Sequence, residues 1–297
     1  MELLTSVHWT DYELIDSGGL EKLERFGKYF LARPEPQAVW LKSLPEEEWR
    51  KIAHARFVRK KGSDPAGSEG SEKGEWTRKK EMPEQWNIGY HYREMNLSFR
   101  LGLTSFGHVG VFPEQSPNWE FVYDFGKTRA HSRILNLFAY TGGTSLAARA
   151  AGADVVHVDS VKPVITWARE NMEASGLKDI RWVVEDALKF ARREVKRGSR
   201  YDGIILDPPA YGRGPEGEKW VLQDSVSEMI VLCSRLLNPG GFLVFSLYSM
   251  GFSSLIAGNL VLSAFPEIKE MVSGELYFPD RAGKKLPLGT FLRAVTG

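Results

Sequence analysis

Three acids each close an apolar run in the second half of the chain. Asp159 ends "DVVHVD", Asp186 ends "IRWVVED", and Asp207 ends "YDGIILD" and opens the stretch Asp207-Pro208-Pro209-Ala210-Tyr211. Two prolines directly after a strand carry no N–H, so the loop is stiff and its carbonyls can accept from an amino donor. Asp207 adds a carboxylate at the same strand end, and Tyr211 offers a ring on which a planar base can stack. An acid at the end of the second strand suits a ribose diol, because a carboxylate accepts from both hydroxyls. Asp186 is placed to accept from an adenine amino group. Taken singly, each of these acids also suits a helix cap.

A glycine pair, Gly142-Gly143, follows the first apolar run in "NLFAYTGGTS". A dinucleotide fingerprint would read G-x-G-x-x-G, and a P-loop would place a lysine after the glycines. Neither spacing is present. Ribose and adenine without a demanding phosphate site describe S-adenosylmethionine, and a dehydrogenase is disfavoured on the same spacing.

The elements that must position these residues follow from periodicity. From about residue 117 strands and helices alternate: a Ser-Pro helix start at "SPNWEFVYDFGK", a strand over 133–138, a helix over 144–151 and a strand over 154–159. Next come a helix over 163–175 stopped by Gly176, "IRWVVED", a helix over 187–197 and "YDGIILD". A helix over about 220–237, "FLVFSLY", a helix over 253–265, "EIKEMVS" and "FLRAVTG" complete the series. Such alternation implies a mostly parallel, doubly wound sheet with ligands at its carboxyl edge.

The first 115 residues read differently, with aromatics in short runs broken by Gly and Pro. Six of the nine tryptophans lie before residue 130, which suggests a small β-rich module. Two domains are expected, a β-rich accessory one over 1–115 and a catalytic one over 116–297. Residues 59–80, poor in apolar side chains, read as an exposed loop between strands. Residues 51–80 hold nine Lys/Arg against four Asp/Glu, so the loop is either a solvated one or a basic arm for phosphates.

The 297 residues carry a net charge of +1, which by itself selects no partner. A single cysteine, Cys233, excludes a disulfide framework or a multi-cysteine zinc site and suits a reducing compartment. No apolar run reaches membrane-span length, and the first residues lack a signal-peptide core. A cytoplasmic location, no membrane partner and no metal are the expectations; nothing indicates the oligomeric state.

The motifs "NLFAYTGGTSLAA", "HVDSVKPVITWARENMEASGL", "VVEDALKF" and "LDPPAYGRG", in this order over Arg133 to Gly241, resemble class I S-adenosylmethionine-dependent methyltransferases. More narrowly, they resemble the bacterial large-subunit rRNA methyltransferase family with a DPP-x-[FY] loop after the fourth strand. The upstream "YELIDSGGLEKLERFGKYFLARPEPQAVW" is also similar to that family. The resemblance implies a Rossmann-like α/β domain with a mostly parallel seven-stranded sheet behind a small β-rich N-terminal domain, and RNA as partner. It implies cofactor contacts from Asn136, Phe138, Ala139, Tyr140, Thr141, Gly142 and Gly143, with Ser160 beside Asp159 and Ala187 beside Asp186. Phe112, Gln115 and Asn118 in "GVFPEQSPNW" would meet the methionine end. Lys162 could reach the adenosine edge but also suits a solvated helix start.

One departure bears on the chemistry. Carbon 5 of cytosine is a poor nucleophile and needs a thiolate to add to the ring first. The segment after the fifth strand, "FSLYSMGFSS", has Leu247 and Tyr248 but no cysteine, and Cys233 falls on an apolar helix face. A nitrogen acceptor is therefore expected, with Asp207, Pro208, Pro209 and Tyr211 as the catalytic set. The rivals are a methyltransferase for a protein side chain or small molecule, which suits the near-zero charge, and a non-catalytic cofactor-binding subunit. The late basic segment "PDRAGKKL" (Arg281, Lys284, Lys285) reads as a solvated hairpin or a phosphate contact.

Overall fold

A computed structural model describes residues 1–59, 73–129, 131–248 and 251–297. The chain divides into two compact units: Met1–Leu4, Gln115–Leu276 and Gly289–Gly297 form one, and Thr5–Glu114 with Tyr277–Leu288 form the other. A single cut at residue 115 would misplace both the first four residues and the segment 277–288.

After β1 (Glu2–Leu4), the smaller unit contains β2 (Tyr12–Gly18), β3 (Glu21–Phe26), β4 (Tyr29–Pro34), α1 (Glu46–Ile52), β5 (Ala55–Arg59) and β6 (Gly74–Arg78). These strands form one sheet in chain order, and β7 (Gln85–Tyr92) and β8 (Met95–Gly102) pair as a hairpin. Ile15, Leu23, Ala32 and Trp49 make its core. The loop expected over 59–80 is contradicted over part of its length. Residues 60–72 lie outside the described residues, whereas Gly74–Arg78 are β6. That strand holds because the Trp76 ring packs edge-on to Phe57 at 5.3 Å and its indole donates to the Thr104 carbonyl at 2.8 Å.

The late basic segment is the exposed turn of a hairpin, as one of the two readings had it, and two of its three cations are paired. Lys284 Nζ donates to the Ser17 carbonyl at 2.7 Å and to Asp16 at 3.2 Å, and Ser17 Oγ donates to Asp280 at 2.9 Å. Arg281 Nε donates to Glu13 at 2.8 Å, and Lys285 lies over the Tyr277 ring. Acids beyond the reach of sequence spacing hold Arg281 and Lys284, and Lys285 meets only an aromatic ring among the described residues.

In the larger unit α2 (Ser116–Thr128) precedes β9 (Arg133–Leu137), α3 (Gly143–Ala150), β10 (Asp154–Asp159), α4 (Lys162–Ala174), β11 (Ile180–Val184), α5 (Ala187–Lys196) and β12 (Tyr201–Leu206). A short hairpin, β13 (Tyr211–Arg213) and β14 (Lys219–Val221), comes before α6 (Leu222–Leu236), β15 (Leu237–Leu247), α7 (Ser254–Ala264), β16 (Ile268–Pro279) and β17 (Lys285–Thr296). The sheet order is β1-β16-β17-β15-β12-β9-β10-β11. β1–β16, β12–β15, β9–β12, β9–β10 and β10–β11 pair in parallel, and β15 pairs with β17 antiparallel. The expected α/β architecture is present, with β1 as an eighth strand beside β16. Its exposed tripeptide "ELL" carries no strand-length signal.

Successive strands run outward from β9 in opposite directions, β10 and β11 on one side, β12 and β15 on the other. A crevice at the carboxyl edge therefore opens between β9 and β12, the switch point at which such sheets bind ligands. Register sets what faces it. Leu137 pairs with Val158 and with Leu206, and Leu206 pairs with Phe245. One residue further on, Phe138, Asp159, Asp207 and Ser246 therefore share a level at that edge. Leu135, Leu137, Leu206, Leu243 and Phe245, with Phe190, Met229 and Cys233 from the helices, fill the core beneath.

Candidate active site

The loop from β9 to α3 leaves the sheet through a strained path. Phe138 and Tyr140 have φ of 57° and 48°, and Gly142 has 94°. Left-handed backbone at two non-glycine residues costs about 1 kcal/mol or more each and persists only where neighbours enforce it. Here they do. The Ala139 amide donates to the Val158 carbonyl at 3.1 Å, and the Tyr140 amide donates to Asp159 Oδ2 at 2.9 Å. Gly142 N–H closes the turn on the Ala139 carbonyl. At Gly143 a Cβ would stand 2.5 Å from the Trp119 ring, so glycine lets α3 pack against α2.

The Asn136 side chain lies beneath this loop rather than at its surface. Its Nδ2 donates to Ser145 Oγ at 2.9 Å, and Ser145 stands 3.0 Å from His157 Nδ1. Burial pushes the His157 imidazole down to about 3, so it stays neutral, edge-on to Trp182. His157 is a site residue that motif spacing does not mark. A lone polar residue inside "VVHVD" was the available signal. Thr141 is also buried, and its carbonyl accepts from Asn171 Nδ2 at 3.0 Å.

Asp159 ties the loop after β9 to the loop after β10: Oδ2 takes the Tyr140 amide, and Oδ1 takes the Val161 amide at 2.9 Å. Burial raises its pKa, and the backbone N–H groups of Val161, Tyr140 and Ser160 oppose the rise. Each oxygen retains a lone pair. Asp186 is buried and acts as the N-cap of α5, accepting from the Lys189 amide at 2.8 Å, with Ala187 as the first helical residue. Lys162 is exposed at the start of α4.

The loop after β12 is more selective than two prolines alone imply. The Pro209 carbonyl accepts from the Trp220 indole at 2.8 Å, and the Ala210 carbonyl accepts from the Leu222 amide at 3.0 Å. Only the Pro208 carbonyl of the three has no partner among the described residues. The Asp207 carboxylate likewise has none among them, and burial pushes it up to about 6. Tyr211 opens β13 opposite Val221, half-buried, with Lys219 Nζ 5.8 Å from its ring centroid. The hairpin that holds it was unforeseen in "YGRGPEGEKW", where Gly and Pro mask two three-residue strands.

Four side chains gather where α2 meets β15 and β17. Asn118 Nδ2 donates to Gln115 Oε1 at 2.8 Å and to Ser246 Oγ at 3.3 Å, and Ser246 Oγ donates to Gln115 Oε1 at 3.3 Å. Arg293 Nε donates to Asn118 Oδ1 at 3.0 Å. Gln115 and Asn118 are thus brought together as expected of neighbours, while Ser246 and Arg293 were not foreseen. Phe112 belongs to the other unit, its ring edge-on to His108 at 5.2 Å.

Cys233 is fully buried in α6, and burial pushes its thiol up to about 12. It is a core residue, as its apolar helix face predicted, and cannot supply a thiolate near neutral pH. Among the described residues no group of His, Cys, Asp and Glu could hold a metal ion, and no helix is long and apolar enough to cross a membrane.

Known proteins resemble this chain in sequence and fold. A family model described as S-adenosylmethionine-dependent methyltransferase matches residues 70–257. The chain is 32% identical over 157 residues to the ribosomal RNA large subunit methyltransferase K/L of Shewanella frigidimarina, and 32% over 174 residues to that of Syntrophotalea carbinolica. These matches take in 52% and 56% of this chain but only 21% and 24% of the relatives' length. The crystal structure of a SAM-dependent methyltransferase from Agrobacterium tumefaciens is 38% identical, with a TM-score of 0.85 over all of this chain and 93% of that one. SMU.776, solved as a complex with SAH, shares the fold at 18% identity with a TM-score of 0.70, over 97% of this chain and 76% of that one. With a family match across more than half its length and a like-sized relative of the same fold, the chain belongs to the class I S-adenosylmethionine-dependent methyltransferases.

Proposed function

We propose that the chain methylates a nitrogen of an RNA base, most directly an exocyclic amino group of ribosomal RNA. The observation that carries this reading is the pair of unclaimed acceptors at one strand end, the Asp207 carboxylate and the Pro208 carbonyl, when the next two carbonyls are already bonded. Two acceptors match the two N–H donors of an amino group. The relatives named as ribosomal RNA methyltransferases support RNA as the source of the base.

The residues at the crevice fit the cofactor. Asp159 keeps one lone pair on each oxygen for a ribose diol after taking two amides. Between Arg133 and Arg149 there is no lysine or arginine to neutralise a pyrophosphate. Asp159 with Ser160 would hold the ribose, and Asp186 with Ala187 the adenine. The loop from Phe138 to Gly143 would pack against the adenosine, and Gln115 with Asn118 would face the methionine end. Bound there, S-adenosylmethionine supplies an electrophilic methyl group.

The protein's task is then positioning. Asp207, ionised above its value of about 6, accepts from one N–H of the acceptor and keeps the nitrogen lone pair turned away from itself. The Pro208 carbonyl takes the second N–H. Tyr211 stacks on the base, an interaction that contributes about 1–3 kcal/mol in single-stranded recognition. A base in a duplex would first have to leave its stack. The β-rich unit is assigned to substrate docking on its aromatic content and the basic residues of 51–80.

The test is radiolabelled methyl transfer into total RNA, and separately into protein extract, from cells lacking the gene, with Asp207→Ala as control. Label in RNA that the mutant loses, located on an amino nitrogen after nucleoside digestion, is the expected result. Label only in protein would replace the substrate class, since a side-chain amide has the same two donors. Label on cytosine carbon 5 would overturn the argument from the missing thiol.

A further inference from the structure

Arg293 carries a largely desolvated charge. Its guanidinium lies between the rings of Phe121 and Phe291, at 4.9 and 5.3 Å, and one terminal nitrogen is buried without a partner among the described residues. Burial pulls it down to about 10, opposed only at a distance by Glu120 and Glu2. No ion pair among the described residues compensates the charge. Burying an arginine in this way costs stability unless the charge does something a neutral residue cannot.

What it does is remove an ambiguity. The oxygen and nitrogen of a side-chain amide are nearly isosteric, so the network around an amide decides which way it points. Arginine only donates. The Asn118 atom 3.0 Å from Arg293 Nε must therefore be Oδ1, which leaves Nδ2 facing Gln115 and Ser246. Nδ2 only donates as well, so the Gln115 atom 2.8 Å away must be Oε1. The other end of the Gln115 amide is then Nε2, which has no partner among the described residues. Ser246, whose hydroxyl completes the triangle, shares its level with Asp207 at the carboxyl edge.

We infer that Arg293 is a positioning residue: through Asn118 it fixes the Gln115 amide with Nε2 outward, presenting two N–H donors to the carboxylate end of the cofactor. The inference rests on the assignment of Gln115 to that end. A neutral residue at 293 would let both amides rotate by 180°, and Gln115 would then offer an oxygen to an anion.

Calorimetric titration with two probes separates this role from a structural one. S-adenosylhomocysteine carries the amino-acid end, and 5′-methylthioadenosine lacks it. Arg293→Met should weaken S-adenosylhomocysteine about tenfold, the worth of one charge-assisted hydrogen bond, and leave methylthioadenosine unchanged. Arg293→Lys, still donor-only, should retain most of the affinity. If Arg293→Met fails to fold, Arg293→Gln takes its place, since it keeps polarity and length but donates or accepts with equal ease. Equal loss for both probes, or no loss for either, would overturn the inference. Gln115→Ala is the control for the underlying assignment. If it too spares the ratio of the two affinities, Gln115 does not meet the amino-acid end. If it alone shifts the ratio, the assignment stands and the relay from Arg293 fails.

Discussion

The Trp220 indole donates to the Pro209 carbonyl at 2.8 Å while its ring packs against Phe138 at 4.7 Å. One buried side chain thus ties the acceptor loop after β12 to the cofactor loop after β9. Trp220→Phe keeps an aromatic ring, but a smaller one, and deletes the donor. It should cost about 2–3 kcal/mol of stability, from the lost hydrogen bond and the cavity, and about tenfold in kcat/KM for the methyl acceptor, with cofactor affinity retained. Steady-state kinetics with cofactor titration checks the split.

The raised carboxyl of Asp207 gives the reaction a pH signature. Its folded value of about 6 lies above the ordinary aspartate value, so it is protonated below pH 6 and ionised above. If the carboxylate orients the acceptor, kcat should rise through pH 6 and level off by pH 7.5. Asp207→Asn should lower the plateau and remove that inflection. The stability effect has the opposite sense: the neutral form is favoured by the fold, so its contribution is present in acid and lost as pH rises through about 6. Asp207→Asn should therefore melt higher than wild type at pH 8, and the gap should close below pH 4.

Asp186 caps α5 and is also assigned to adenine, and two substitutions separate the roles. Asp186→Ser retains a cap acceptor, so the melting temperature should hold while affinity for 5′-methylthioadenosine falls. Asp186→Ala should lower both, with a cap loss of about 1 kcal/mol. Unchanged nucleoside affinity in both variants would leave Asp186 a cap alone.

Cys233 offers a check on the chemistry. The native protein should resist iodoacetamide at pH 8 and react only on unfolding. Cys233→Ala should lose about 1–2 kcal/mol of stability and no methyl-transfer activity beyond that of its folded fraction.

Much of this was legible because the relevant signals are local. Each core strand is a short apolar run whose terminal residue declares itself by charge, so Asp159, Asp186 and Asp207 could be read without coordinates. Gly176, at φ 67°, ends α4 as its position promised. What escaped was set by partners far along the chain. Trp220 selects which proline carbonyl stays open from 11 residues away, and Arg293 reaches Asn118 across 175. Arg281 and Lys284 of "PDRAGKKL" are held by Glu13, Asp16 and Ser17, more than 260 residues earlier. The pairing of β1 with β16 is equally non-local. Composition reports that a charge exists but not who holds it.

The five-segment division of the chain sets a timetable for its synthesis. Asp16 and Ser17 emerge from the ribosome early, yet the Asp280 and Lys284 that also bond to them follow more than 260 residues later. At about 5–20 residues per second, the first strands wait roughly 15–50 s for those partners. The smaller unit therefore stays incomplete until Leu288 is made, and the larger until Gly297. A nascent chain stalled near residue 270 should be digested by protease in both units, and release of the full-length chain should protect them together.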